Sequence, residues 1–354
     1  MTAIETPHTH KAAGHIRHAF IDNAKAIAIV LVAFGHAPAL PPAAKAFIYS
    51  FHIPLFYFLS GCLMSRDKLQ APVRNFLRYI GRTLLIPYVF FFILSFVSWL
   101  VLKHVAPQRD SSDVSTVQAL LGLFTGTEES LVVNKVLWFL PCLMVVSVGY
   151  YLLRKKASES VIAALALATA LIGCFALPHL PARLPFGVDC ALVALAYYAC
   201  GQLFRAHAFP LPLRLHSLAA GFLILLLLTI CLSQWNGVID LSKLDFGRNP
   251  FAYLGCSYLG IVMALFAARM IPANPPLKWL SANTLVIFPT HTLMFAVFTG
   301  ALTIVLHIPK EMKDGSVLFT FGYAALAIAL AYPLAYILRK LFPWALGSYR
   351  AQYR

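Results

Sequence analysis

The sequence predicts an all-α integral membrane protein, and both its composition and the length of its apolar runs point to this class. Hydrophobic residues make up 60% of the chain and charged residues 12%, whereas soluble domains are about 45–50% apolar and about 25% charged. The mean hydropathy is +0.77. Apolar runs continue from residue 24 to residue 338 without a polar domain between them. We therefore expect one polytopic membrane domain over residues 21–338, with cytoplasmic tails at 1–20 and 339–354.

The apolar runs are long enough to predict about ten membrane-spanning helices. A helix needs about 20 mostly apolar residues to cross a bilayer. The segments that meet this requirement are 22–40, 47–64, 83–102, 136–153, 160–178, 188–204, 217–233, 250–270, 283–305 and 317–338.

The positions of lysine and arginine predict the orientation of these helices. Eighteen of the 28 lie on one side of the predicted bundle and nine on the other, with Lys25 inside the first helix. Because positive charge accumulates in cytoplasmic loops, both termini are expected in the cytoplasm. The longest outer loop, residues 103–135, is the only connection long enough to form a lid. Its acidic residues are Asp110, Asp113, Glu128 and Glu129.

Several classes of protein are excluded by what the sequence lacks. The net charge of +15 is spread over short loops, so no basic tract for nucleic acid is present. The seven cysteines lie in apolar segments without a CxxC pair, which argues against a disulfide framework or a zinc site. Walker A, GxGxxG, GxSxG and HExxH motifs are absent, so ATP hydrolysis, serine-esterase chemistry and zinc proteolysis are not indicated.

The first predicted helix carries ionisable residues along one side. In IDNAKAIAIVLVAFGH (21–36), Lys25 and His36 are eleven residues apart, which is three turns plus about 20° at 100° per residue. Asp22 lies within about 40° of the same stripe. Ionisable groups at such depth usually line a cavity or a pathway. The alternatives are snorkelling of Lys25 to the interface and a role of His36 as a packing residue whose ring nitrogens are hydrogen-bonded.

A second histidine follows in FHIPLFYFLSG (51–61). His36 and His52 are equidistant from position 44, so an antiparallel hairpin would hold both imidazoles at similar depth in one cavity of the outer half. Pro54 frees a backbone carbonyl group, and Ser60 and Gly61 allow another helix to approach closely. The alternative for His52 is a position at the outer interface.

Further candidates lie at both ends of the predicted bundle. Arg78 and Arg82 precede the third helix, where guanidinium groups suit a phosphorylated cytosolic ligand; binding of lipid head groups stays open for Arg78. Trp138 begins the fourth helix at the outer face, where an aromatic belt is the alternative. Asn283 and His291 share the ninth helix, and His291 could equally be a packing residue.

These motifs resemble the acyltransferase 3 family of membrane acyltransferases, and above all its fucose 4-O-acetylase-like branch. Lys25 and His36 match the family's Arg/Lys-x10-His opening. The later stretches FHIPLFYFLSG, RTLLIPY, LWFL and WLSANTLVIFPTH are similar to its motifs in the same order, from residue 21 to about residue 295. Ala26 departs from a common glycine and Ala282 from a common basic residue.

The resemblance implies transfer of an acyl group, usually acetyl from acetyl-CoA, to a hydroxyl of a sugar or glycan in the inner membrane of a bacterium. His36 would be the catalytic histidine, Lys25 its basic partner and Arg82 the arginine of the third motif. Acetyl-CoA is then a co-substrate. No permanently bound cofactor, metal or nucleic acid is expected, and homo-oligomerisation is left open.

The mechanism expected from these residues runs across the membrane. Lys25, Arg82 and Arg78 would hold the CoA phosphates, and His36 would act as general base or accept the acyl group transiently. His52 or a backbone donor would stabilise the oxyanion. The other residues expected at the CoA or acceptor sites are Asp22, Ser60, Trp138, Asn283 and His291.

Two other functions are compatible with the sequence. Ten helices with a polar stripe also fit a transporter or flippase for a glycan or a lipid-linked glycan. An acyltransferase that uses succinyl or longer acyl donors is the other alternative.

Overall fold

The backbone is helical nearly everywhere that the structure describes it. The structure is a computed structural model, and it describes residues 7–105, 114–207, 214–309, 312 and 316–347; no β-strand occurs in these ranges. The first helices are α1 (Pro7–Gly35), α2 (Pro42–Tyr49), α3 (His52–Cys62), α4 (Arg66–Gln70), α5 (Val73–Ile80), α6 (Ile86–Val105), α7 (Thr116–Thr125) and α8 (Phe139–Lys156). They are followed by α9 (Glu159–Phe175), α10 (Val188–His207), α11 (Leu215–Asn236), α12 (Pro250–Met270), α13 (Pro275–Ala282), α14 (Thr284–Gly300) and α15 (Val317–Leu341).

The prediction of a polytopic all-α membrane protein is confirmed. Within the described ranges, eight helices are long and apolar enough to cross a membrane, and they correspond to the third to tenth predicted segments. They are Val73–His104, Lys135–Lys156, Glu159–His179, Pro185–Ala206, Leu215–Asn236, Pro250–Met270, Thr284–Thr303 and Val317–Leu341. The count of ten spans and the cytoplasmic placement of both termini stay predictions.

The first predicted helix is longer than expected at one end and shorter at the other. It begins at Pro7, inside the predicted N-terminal tail, and it ends at Gly35 rather than at residue 40. Helix-forming alanine, lysine and arginine residues before position 21 continue the helix beyond its apolar part. The prolines at 38, 41 and 42 then prevent its continuation.

The second predicted helix, 47–64, is wrong as a continuous element. The chain forms α2 and α3 instead, and the helix breaks at Phe51, whose φ/ψ of −144°/−14° is not helical. Pro54 lacks an N–H group, so the carbonyl oxygen of Ser50 has no partner in α3. This oxygen accepts a hydrogen bond of 2.7 Å from Oγ of Ser257 in α12. The freed carbonyl group predicted at Pro54 is therefore satisfied from another helix.

The third predicted helix also has a different start, because the chain is already helical before residue 83. α5 continues through a π-helical turn, Gly81–Leu85, into α6, so the helix spans 32 residues. At 1.5 Å per residue that is about 48 Å, against about 30 Å of hydrocarbon. The exposed side chains of Arg74, Arg78 and Arg82 lie on this extension.

α3 is almost entirely buried and packs closely against α10. A Cβ atom on Gly61 would lie 2.0 Å from the carbonyl oxygen of Tyr198, and one on Gly201 would lie 1.9 Å from that of Phe58. Only glycine permits the two backbones to approach this closely. The expectation that Gly61 allows another helix to come near is confirmed.

The long predicted outer loop has a helix of its own. α7 begins at a capping box between Ser115 and Gln118 and ends at Gly126, which has a φ of +63°. The residues after Gly126 fold back to α8 and carry Glu128. Asp110 and Asp113 lie outside the described residues.

Candidate active site

His36 directly follows the last residue of α1 and keeps a helical hydrogen bond. Its backbone N–H group donates to the carbonyl oxygen of Val32 at 3.1 Å. The helical repeat of α1 therefore still determines the direction of the His36 side chain, and it places Lys25 and His36 on one side of that helix.

His52 is the first residue of α3, and its ring lies beside that of His36. The ring centroids are 6.2 Å apart. Nδ1 of His52 lies 2.8 Å from the carbonyl oxygen of Ile48 in α2, and the side chain is 2% exposed. The two imidazoles predicted to be neighbours are neighbours, although the short helix α2 connects them in place of a simple hairpin.

His291 lies in the middle of α14 and is the third member of the cluster. Its ring centroid is 5.2 Å from that of His36, and the side chain is 1% exposed. Nδ1 lies 2.6 Å from the carbonyl oxygen of Phe288 and 3.2 Å from that of Ile287. Three histidines from α3, α14 and the end of α1 thus form one cluster.

Tyr49 completes this cluster from the end of α2. Its hydroxyl oxygen is 3.3 Å from Nδ1 of His36. Its ring centroid lies 5.7 Å from that of His36 and 4.9 Å from that of His52. The phenol therefore contacts both imidazoles and restricts how each ring can rotate.

The cluster lies against a cavity of about 490 Å³ on the predicted outer side. His36 and His52 line this cavity, whereas His291 is not among its lining residues. Aromatic rings form part of the wall: Tyr49, Trp99 and Trp138. Polar side chains form another part: Ser95, Glu128, Asn134, Asp240, Ser242 and Thr292.

Lysine residues surround the mouth of the cavity. Lys135 pairs with Glu128 at 3.4 Å, and Lys243 pairs with Asp240 at 3.6 Å. The ammonium group of Lys45 lies 5.2 Å from the ring centroid of Tyr49. The cavity therefore presents both hydrogen-bond donors and acceptors to a polar ligand.

Arg183 does not line the cavity, but it stabilises one of the cavity walls. Its Nε donates to Asp189 at 2.5 Å, and its Nη1 donates to the carbonyl oxygen of Ser242 at 2.6 Å. Asp189 is 1% exposed. The turn that carries Asp240 and Ser242 is thus tied to the start of α10 by a charged pair.

The other end of the predicted polar stripe is engaged in hydrogen bonds with α13. Nζ of Lys25 donates to the carbonyl oxygen of Ser281 at 3.0 Å, and Oγ of Ser281 donates to Asp22 at 2.6 Å. Nδ2 of Asn283 donates to the carbonyl oxygen of Trp279 at 2.7 Å, while its Oδ1 is buried without a partner among the described residues. Lys25, Asp22 and Asn283 therefore lie at the α1–α13 junction, away from the cavity.

Packed apolar side chains separate the two ends of this stripe. Ala28, Ile29, Val32 and Ala33 all have 0% exposure. Asp22 instead lines a second cavity of about 410 Å³ together with Asn274 and Lys278. Any donor that reaches the histidines from the Lys25 side must displace the packed residues between them.

The remaining predicted residues lie on a different part of the predicted cytoplasmic side. Ser60 lines a groove of about 150 Å³ together with Lys68, Tyr79 and Tyr198. The exposed residues Arg78 and Arg82 belong to the adjacent extension of α6. At Ala282, where the family commonly has a basic residue, Arg339 of α15 donates to the carbonyl oxygen at 3.2 Å.

The sequence reasoning missed Tyr49, Asn134 and Asp240. Tyr49 is three residues before His52, inside the segment 47–64 that the sequence predicts as one helix. Asn134 lies four residues before Trp138. It is a polar residue beside an apolar run, and this feature of the sequence could have indicated a site residue. No motif distinguishes Asp240, since a tertiary contact brings its turn to the cavity.

Metal binding is not indicated at the cluster. Within the described ranges, no group of three or more His, Cys, Asp or Glu side chains is arranged to hold a metal ion.

Fold and site together define a membrane-embedded helical protein with a histidine cluster at the base of a polar, aromatic cavity. Comparison with protein families identifies the class: the acyltransferase-domain model of the acyltransferase 3 family matches residues 18–338. The chain belongs to this family and is a membrane acyltransferase. No curated protein and no solved structure gives a match to it.

Proposed function

We propose that this protein transfers an acetyl group from cytosolic acetyl-CoA to a hydroxyl of a sugar or glycan, such as a cell-surface polysaccharide or lipopolysaccharide, in the inner membrane of a bacterium. The observation that carries the proposal is the cavity in which His36 and His52 lie beside aromatic rings, hydroxyl groups and carboxylates. The resemblance to the fucose 4-O-acetylase-like branch supports a sugar acceptor.

The composition of the cavity wall supports a carbohydrate as the acceptor. A sugar ring has apolar C–H faces that pack on flat aromatic side chains, and hydroxyl groups that need both donors and acceptors. Trp99, Trp138 and Tyr49 offer such faces, while Glu128 and Asp240 offer acceptors. A volume of about 490 Å³ lies within the usual range of ligand pockets, about 300–1,000 Å³.

The basic residues on the predicted cytoplasmic side support a CoA donor. Lys25 would hold a phosphate at the α1–α13 junction, and the exposed Arg82 and Arg78 would bind further phosphates. The thioester would then have to reach His36 past Ile29 and Val32, which are fully buried. Donor binding is therefore expected to open a path between these side chains.

The chemistry needs a base for the acceptor hydroxyl and a donor for the oxyanion. Imidazole can supply either role near neutral pH. A cluster of three neighbouring imidazoles can supply both, and acyl transfer through a transient acyl-histidine is also open to it.

The test is acetyl transfer by the purified protein in nanodiscs. Radiolabelled acetyl-CoA is supplied with de-O-acetylated surface polysaccharide, and O-acetyl groups on the glycan are detected by mass spectrometry. We expect transfer by the wild type and loss of about 100-fold or more in His36→Ala, with Lys25→Ala raising the KM for acetyl-CoA. Folded variants that acetylate at the wild-type rate would contradict the proposal.

The same preparation separates the proposal from its alternatives. Thermal stabilisation by acetyl-CoA but not by free sugars indicates a donor site, whereas a transporter or flippase would be indifferent to CoA. Competition among acetyl-, succinyl- and palmitoyl-CoA identifies the acyl donor. Mass spectrometry of cell-surface glycans with and without the protein then identifies the acceptor.

A further inference from the structure

The hydrogen bonds of His52 and His291 determine which ring nitrogen carries the proton. In each ring, Nδ1 faces a backbone carbonyl oxygen, at 2.8 Å from that of Ile48 and 2.6 Å from that of Phe288. A carbonyl oxygen can only accept, so Nδ1 must be the donor and must carry a hydrogen. In the neutral ring, Nε2 then has a lone pair.

Both of these Nε2 atoms are buried and without a hydrogen-bond partner among the described residues. Buried polar atoms are rarely left unpaired, because the loss of hydration is then uncompensated. Two unpaired basic nitrogens in one cluster, beside a cavity, point to a site that keeps lone pairs for a substrate.

His36 has the opposite hydrogen-bonding environment. Its Nδ1 faces the hydroxyl of Tyr49, for which the described residues offer no other partner. If the phenol donates, one bond satisfies both groups; if it accepts, its own hydrogen must turn into the cavity, which Tyr49 lines. Donation by Tyr49 leaves the lone pair at Nδ1 of His36 and the proton at Nε2.

We propose that the cluster divides the work of acyl transfer: His52 is the general base for the acceptor hydroxyl, and His36 donates its Nε2–H to the oxyanion. This assignment rests on the proposed acyl transfer, and it reverses the roles expected from the sequence. His52 is preferred to His291 as the base because its ring lines the cavity, and binding of the acceptor has to expose its buried Nε2. The ring centroid of His291 is 5.2 Å from that of His36, but His291 does not line the cavity.

The step balances with these groups alone. The acceptor oxygen forms a bond to the thioester carbon while its proton passes to Nε2 of His52. The electron pair of the C=O bond moves to oxygen, which accepts a hydrogen bond from Nε2–H of His36. When the carbonyl group re-forms, the C–S bond breaks and the CoA thiolate takes the proton from His52. The products are the O-acetyl ester and CoA.

Nuclear magnetic resonance of histidine nitrogens tests the proton positions without any substrate. Protein labelled with ¹⁵N-histidine in nanodiscs gives distinct signals for N–H and lone-pair nitrogens, and single variants assign the twelve histidines. We expect Nδ1–H in His52 and His291 and Nε2–H in His36. His104 is an internal reference, since its Nδ1 lies 2.7 Å from the carbonyl oxygen of Leu100 and its side chain is exposed.

Glutamine variants test the roles, because a glutamine amide can donate a hydrogen bond from near the position of Nε2 but cannot act as a base. We expect His52→Gln to lower kcat about 100-fold or more. His36→Ala is expected to lower it by about 100-fold to 1,000-fold, and His36→Gln should recover part of that loss. His104→Gln is the matched control and should leave kcat and the melting temperature unchanged.

Each outcome has a definite meaning. A lone pair at Nε2 of His36, or a proton at Nε2 of His52, overturns the assignment whatever the activity shows. An equal loss of kcat in His36→Gln and His36→Ala, together with an active His52→Gln variant, overturns the proposed roles of His36 and His52. Absence of transfer by the wild type overturns the proposed function and the catalytic roles with it, whereas the tautomers are decided by the spectrum alone. Melting temperatures and the His52→Asn variant, which can keep the bond to Ile48, show whether a loss reflects misfolding.

Discussion

Nδ2 of Asn134 donates a hydrogen bond of 2.8 Å to the carbonyl oxygen of Pro289, which is 155 residues away in sequence. The same amide donates to Oγ of Ser95 at 2.9 Å, and its Oδ1 accepts from Thr292 at 3.2 Å. Asn134 is 4% exposed. The side chain of Asn134, which lies shortly before α8, thus joins α6 to α14. Its partner Pro289 is two residues before His291 in α14.

Asn134→Ala is therefore expected to destabilise the protein and to impair transfer. Its removal leaves buried polar groups unpaired, at a cost of about 1–3 kcal/mol for each group that finds no water. The melting temperature should fall, and kcat should fall with it because α14 loses its register near His291. Asn75→Ala, at an exposed position, is the control, and an equal effect there would contradict the role of Asn134.

Removing the guanidinium group of Arg183 should cost more than removing the whole ion pair. Arg183→Leu leaves the buried carboxylate of Asp189 without its charged partner, which typically costs about 3–5 kcal/mol. The double variant Arg183→Leu/Asp189→Leu should be more stable than Arg183→Leu. Unfolding in bicelles with increasing SDS measures both free energies.

The more exposed pair between Arg154 and Glu159 provides the comparison. Its carboxylate side chain is 37% exposed, against 1% for Asp189. Arg154→Leu should cost only about 0–1 kcal/mol through loss of its ion pair. A double variant of Arg183 and Asp189 that is less stable than Arg183→Leu would show that the pair does not act through charge burial.

Gly201→Ala should disrupt the contact between α3 and α10. The new methyl group would lie 1.9 Å from the carbonyl oxygen of Phe58, so the helices must separate, with an expected loss of about 1–3 kcal/mol. Because α3 carries His52, kcat should also fall. Gly149→Ala, with nothing within 4 Å of the added Cβ, should instead stabilise α8 by about 0.5–1 kcal/mol. Similar melting temperatures for the two variants would refute the close contact.

Tyr49→Phe removes the hydroxyl group that faces His36 but keeps the aromatic ring. We expect a small change in melting temperature, a loss of about 10-fold in kcat, and a mixture of His36 tautomers in the ¹⁵N spectrum. Tyr323→Phe removes a hydroxyl bonded to Thr299 at 2.8 Å, and it should leave the His36 signals unchanged. An unchanged His36 spectrum in Tyr49→Phe would show that the phenol does not set the tautomer.

The sequence predicted the helices best where one apolar run begins and ends at clear signals. The segment 250–270 matches α12 at both ends, since Asn249 caps the helix and a proline follows at its first position. The prediction was wrong at α2–α3, where an apolar run of spanning length hides a break. Apolar composition reports burial in a bilayer, and it does not report whether the backbone stays helical.

For the site, the sequence predicted that His36 and His52 lie together, because residues equidistant from a turn come to similar depth. It could not place Tyr49 between them, since that depends on the rotation of α2 after the break. It could not connect Asn134 with Pro289 or Arg183 with Ser242 either. Each of these contacts joins distant segments, and no local period or motif records them.

By itself, the sequence determined the class of this protein: a chain too apolar to be soluble, with ionisable residues spaced to share one side of its first helix. The tertiary structure decided where the two ends of the polar stripe lie: Lys25 contacts Ser281, whereas His36 lines the cavity. It also decided the hydrogen-bond partner of each imidazole, on which the proposed position of each proton rests. Spacing along a helix fixes direction, whereas a tautomer depends on which atom of another segment lies within 3 Å or so of the ring.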